Sequence, residues 1–194
     1  MKISYKWLGL VAMLAAPGLW VECYFYSKQM HNSSITGVAD LVYMIGWSCS
    51  IIGLIQLRAA GNSKAAMAIL YTQLLFLCVA NIFNTWTIID PQSVNPVYKA
   101  LDWFWPISNG FMIVTGIAVL RGGVLQKGWK YSTLAAGCWL AITAGSAIAL
   151  QGNTLSFYIM TVYSFISFFL LGLTVFIKGS SAAGPNRPVA VVAV

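Results

Sequence analysis

Hydrophobic residues in this chain fall into six long blocks separated by short polar connections. The blocks run from Trp7 to Tyr26, Val38 to Leu57, Ala65 to Ile89, Ala100 to Leu120, Tyr131 to Leu150 and Thr154 to Ile177. Polar residues, Gly or a Pro pair bound each of them. A bilayer core of about 30 Å takes about 20 apolar residues at a rise of about 1.5 Å. The pattern therefore predicts six transmembrane helices. No extended run alternates with period two, which argues against a barrel. A helical bundle is the other way to satisfy the backbone in lipid. The fold class expected is all-α, a polytopic membrane bundle of six transmembrane helices over residues 1–179. The remaining residues, 180–194, are rich in Ser, Ala, Gly, Pro and Val, and form a short tail too broken to span.

The first block has the charged and apolar regions of a signal peptide, with Lys2 and Lys6 ahead of Trp7 to Trp20. Its apolar stretch continues through Val21 to Tyr26, which predicts a retained helix. Composition agrees with a membrane chain: 59% of residues are hydrophobic and 8% charged, and the mean hydropathy is +0.79. A soluble domain carries about a quarter charged residues, so this chain cannot surround a core with a hydrated surface.

Charge supplies a direction. If the first terminus is cytoplasmic, the inner segments hold Lys2, Lys6, Arg58, Lys64, Arg121, Lys127, Lys130, Lys178 and Arg187, and the outer loops hold Lys28 and Lys99. Nine against two is a strong positive-inside bias and places both termini in the cytoplasm. The net charge of +7 is then topogenic, and no nucleic-acid partner is implied. Location in a plasma or inner membrane is expected, with membrane lipid and a small molecule as partners. A second copy or another membrane subunit remains an open option.

Two helices look alike. The second span starts at Asp40 and ends Gly53-Leu-Ile-Gln-Leu-Arg58-Ala-Ala; the fourth starts at Asp102 and ends Gly116-Ile-Ala-Val-Leu-Arg121-Gly-Gly. Each has an aromatic residue three positions after the Asp, Tyr43 or Trp105. A duplicated hairpin would give this pattern. So would convergence, because every helix entering the cytoplasm needs a basic stop.

The acidic residues carry the functional signal. All four, Glu22, Asp40, Asp90 and Asp102, fall on the outer side. Asp40 lies about 27 Å above Arg58 and Asp102 about 28 Å above Arg121. Helix-start dipoles explain Asp40 in part, and a turn before Pro91 explains Asp90. Glu22 sits at the unfavourable end of its helix, where an ionisable group needs a partner or water. Pro106 has no N–H to donate to the carbonyl of Asp102 and its ring clashes with that carbonyl, so a kink is predicted there. A polar stripe extends the region: Gln73, Asn81 and Asn84 on the third span, Asp102, Trp105 and Asn109 on the fourth, Asp40 and Tyr43 on the second. Trp86 and Trp103 stand with them at the outer interface. Together these residues are expected to line a ligand pocket open to the outside. For each amide, interhelical hydrogen bonding is the competing account.

No motif for a specific chemistry is present. One histidine, His31, excludes multi-His metal sites, and no metal or cofactor is implied. The four cysteines are isolated in apolar runs and read as small hydrophobes. No Lys lies mid-membrane, which excludes a retinal Schiff base. Three functions fit. The first is binding or transport of a small cationic or polar-amphiphilic ligand, by carboxylates and cation–π attraction, with proton coupling through Glu22 or Asp102 as an option. The second is acid-catalysed isomerisation or cyclisation of a lipophilic substrate, with Glu22 or Asp102 as the catalytic acid. The third is an accessory or structural membrane subunit.

Overall fold

The computed structural model describes residues 3–28 and 33–182. Every regular element among them is helical: α1 (Tyr5–Ala15), α2 (Gly18–Ser27), α3 (Ser34–Gln56), α4 (Lys64–Ile89), α5 (Pro96–Asp102), α6 (Phe104–Gly122), a 3₁₀ turn at Lys127–Lys130, α7 (Tyr131–Gly137), α8 (Trp139–Ala149) and α9 (Thr154–Ala182). Five spans are long and apolar enough to cross a membrane, namely Tyr5–Phe25, Ser34–Gln56, Lys64–Ile89, Pro96–Gly122 and Thr154–Lys178. The α7–α8 pair makes a sixth if taken together. His31 and the tail beyond Ala182 lie outside the described residues, as does the side chain of Glu22.

Local chemistry sets the ends. Ser33 and Thr36 form a reciprocal cap on α3: the Ser33 hydroxyl accepts from the Thr36 N–H at 3.2 Å, and the Thr36 hydroxyl accepts from the Ser33 N–H at 2.9 Å. Ser63 caps α4 by accepting from the Ala66 N–H at 3.1 Å. Asn95 caps α5 ahead of Pro96. Gly123, at φ 65°, ends α6 in the left-handed conformation that favours glycine.

Three of the expected spans are broken. The first is interrupted at Ala16 and Pro17, between α1 and α2, where the proline has no N–H to give to the α1 ladder. The fourth breaks at Trp103, between Asp102 and Phe104, where the clash with Pro106 was predicted. The fifth was expected as one run from Tyr131 to Leu150; it is two helices bent by 54° around Cys138. Side-chain size explains that bend. On α7, Gly137 lies against α6 so closely that a Cβ there would sit 2.7 Å from the Met112 carbonyl oxygen, and Leu134 lies as tightly on Gly116. Two residues beyond Gly137 comes Trp139, a bulky indole that is 3% exposed where the glycines allowed close contact.

The elements close into a ring in the order α1–α2, α3, α4, α6, α7–α8, α9 and back to α1. The α1, α3 and α9 helices meet through small residues: Gly46 faces Ala12 and Ala15, and Gly172 faces Ala12 and Met13. At the lysine- and arginine-bearing end the ring is filled by Ile51, Leu54, Leu70, Val119, Leu171 and Val175, all fully buried. At the other end it opens.

Candidate functional site

The opening is a cavity of about 410 Å³ at the acid-bearing end. Every packed element of that end contributes to it. Cys23 comes from α2, Asp40 from α3, Phe83 from α4, Asp102 from the last residue of α5, Trp105 from α6 and Met160 from α9. Helix α8 supplies one whole face, Trp139, Leu140, Thr143, Ala144 and Ala147. The bend at Cys138 is what swings that face away from α6 and makes the space.

The aromatic lining is held in place by its neighbours. Trp105 and Trp139 stack edge to face, with ring centroids 5.4 Å apart. Trp139 Nε1 donates to the Met160 carbonyl at 3.4 Å, and the Thr143 hydroxyl donates to the Trp139 carbonyl at 2.9 Å. Asp102 is carried one helical turn beyond Tyr98, which clamps α5 to α4. Tyr98 is buried against Phe83, with ring centroids 4.8 Å apart, and its hydroxyl lies 3.0 Å from that of Thr87. Asp102 is exposed at the mouth, whereas Asp40 is half-buried. Two carboxylates therefore share one hollow with two indoles, and among the described residues no basic side chain lines it. Such a site attracts positive charge, and its volume suits a small molecule. Among the described residues, no three His, Cys, Asp or Glu side chains converge as a metal site would require.

Of the expected pocket residues, Asp40, Asp102 and Trp105 meet in this cavity. The others do not. Gln73 is fully buried and spent on helix packing: its Nε2 donates to the Ser108 carbonyl at 3.1 Å, and its Oε1 accepts from the Thr115 hydroxyl at 3.3 Å. Asn109, 1% exposed, donates to the Trp105 carbonyl at 2.9 Å and steadies the first turn of α6. Asn84, also 1% exposed, is enclosed where α4 crosses Gly37 of α3. Tyr43 packs edge-on against Phe168 at 4.9 Å, in the core. Asn81 and Trp86 line a separate groove on the outward face of α4, with Cys78, Ile82, Thr85 and Ile89. Trp103 is 68% exposed at the α5–α6 break and does not line the cavity. The backbone of Glu22 adjoins Cys23 in α2, and its side chain lies outside the described residues.

Trp139, Thr143 and Met160 were not anticipated. The spacing Trp139-Leu140, Thr143-Ala144, Ala147 marks one helical face and was legible in principle. Its small residues read equally well as helix packing.

Comparison with known proteins returns nothing to set beside this geometry: the chain matches no known family, no curated protein and no solved structure.

Proposed function

We propose that the chain is an integral membrane protein of six crossings that binds, or binds and transports, a small cationic or polar-amphiphilic ligand in the acid-bearing cavity. The convergence of Asp40 and Asp102 with Trp105 and Trp139 carries this reading. The positive-inside bias supports placing the basic end and both termini in the cytoplasm, so that the cavity faces outward. Carboxylates supply long-range attraction, and the indole faces favour a cation with apolar substituents over a strongly hydrated metal ion. The filled half beneath the cavity favours a receptor, or a transporter resting with its inner path closed.

A purely structural subunit gains nothing from a hollow that separates α8 from α6.

The test uses indole fluorescence of the purified protein, titrated with benzyltrimethylammonium and with its neutral isostere neopentylbenzene. Saturable quenching by the cation is expected, and Asp102→Asn should weaken it at least about tenfold, equivalent to ~1.4 kcal/mol. Equal response to cation and isostere, or an unchanged Asp102→Asn and Asp40→Asn pair, would overturn the proposal.

A further inference from the structure

A second hollow lies at the opposite end of the bundle, in a groove of about 370 Å³ between α4 and α6. Small residues, Ala66 and Ala118, line it together with Ile69 and Ile117. Arg121 and Ser63 stand at its end. Arg121 is exposed and makes no hydrogen bond or ion pair among the described residues. Two further cations flank the groove's lining in sequence, Lys64 next to Ser63 and Arg58 two residues before Ala60, with the Arg58 guanidinium donating to Asn62 Oδ1 at 3.2 Å. Lys64 opens α4, and Arg58 lies in the turn whose Ala60 backbone touches Gly122, closely enough that a Cβ there would stand 2.4 Å from the Ala60 carbonyl carbon.

No acidic residue of the chain can compensate these charges. All four carboxylates belong to the other end, about 28 Å away along α6. Arg121 is therefore available to an anion from outside the protein. A groove with apolar sides and an unpaired guanidinium at its end matches one kind of molecule, an amphiphile with an anionic head. Basic pockets between membrane helices have this character.

We propose that this groove binds one anionic phospholipid, with its phosphate against Arg121 and an acyl chain between α4 and α6. The site depends on the chain lying in a bilayer and is independent of the cation cavity. Its occupancy would brace the α4–α6 contact from the basic end.

The experiment places the purified protein in nanodiscs of phosphatidylcholine with graded phosphatidylglycerol and counts retained lipid by native mass spectrometry after release. One phosphatidylglycerol should be kept in preference to phosphatidylcholine. Arg121→Gln should lower its affinity about fivefold. Ala118→Phe, which fills the groove and leaves every charge in place, should lower it comparably. Replacing Lys127 and Lys130 together by Gln should leave it unchanged. Equal retention of phosphatidylcholine overturns the proposal. So does a loss from the Lys127 and Lys130 pair as large as that from Arg121→Gln, because diffuse surface charge then suffices. Wild-type retention by Arg121→Gln at unchanged helicity also overturns it, and this variant decides the matter if Ala118→Phe fails to fold.

Discussion

Replacing Gln73 by Leu separates a packing role from a binding one. Gln73 is fully buried near the middle of α4 and holds α6 through two hydrogen bonds, one at 3.1 Å to the Ser108 carbonyl and one at 3.3 Å from the Thr115 hydroxyl. Leucine has a similar volume and removes both. Neither partner is left stranded. The Ser108 carbonyl remains in the α6 ladder, and the Thr115 hydroxyl keeps the Phe111 carbonyl at 3.3 Å. Interhelical hydrogen bonds in membrane bundles average ~0.6 kcal/mol, with an upper value of ~1.7 kcal/mol. Two of them put the expected loss at about 1.2 kcal/mol. The same change in a soluble core, with a partner left unpaired, would cost more. The assay is reversible unfolding in mixed micelles followed by far-UV circular dichroism. A double-mutant cycle with Thr115→Val should return a coupling of about 0.6 kcal/mol. Cation binding at the cavity should stay within about twofold of wild type, a change of under ~0.5 kcal/mol. If Gln73→Leu left stability untouched and abolished binding, Gln73 would be a ligand contact and its assignment to packing would be wrong.

Other expectations follow from the same structure. Gly137→Val drives a side chain into the α6 backbone near Met112, and overpacking of this kind costs ~1–3 kcal/mol, read by the same unfolding assay; a neutral result would refute the close α6–α7 contact. Ala147→Cys, in a variant with its native cysteines replaced, should react with a membrane-impermeant cationic thiol reagent added from outside cells. Prior addition of benzyltrimethylammonium should protect it, and labelling only after the cells are opened would invert the topology. Tyr98→Phe removes the hydroxyl that meets Thr87 at 3.0 Å, with an expected loss of ~1 kcal/mol in stability. It should also weaken cation binding, because α5 carries Asp102, and unaltered binding would separate the clamp from the site.

Asp40 and Asp102 were singled out because carboxylates are costly near lipid, and that cost is a property of the residue alone, so it is visible in the sequence. The break at Trp103 was legible for a similar reason, since a proline ring acts on the residue four positions before it. The amides were different. Gln73, Asn84 and Asn109 have the same polarity whether they face a ligand or another helix. Sharing a helix face with Asp102 could not reveal that Gln73 meets Ser108 and Thr115, because the angular setting of α4 against α6 is not encoded in either helix separately. The α8 wall escaped for the same reason: a stripe of Thr and Ala is silent until something stands opposite.

The sequence alone determined that the chain is helical, apolar enough to cross a membrane several times, and polarised into a basic and an acidic end. Those properties depend on composition and on periodicity over about 20 residues, which are local quantities. Tertiary structure decided the rest: which polar groups bond between helices, that the fifth span bends by 54°, and that this bend brings Trp139 over Trp105 beside two carboxylates. Cavities arise from mismatches between surfaces on different helices, here glycines at Gly116 and Gly137 followed by a bulky indole at Trp139, and a mismatch has no existence until the helices are in contact.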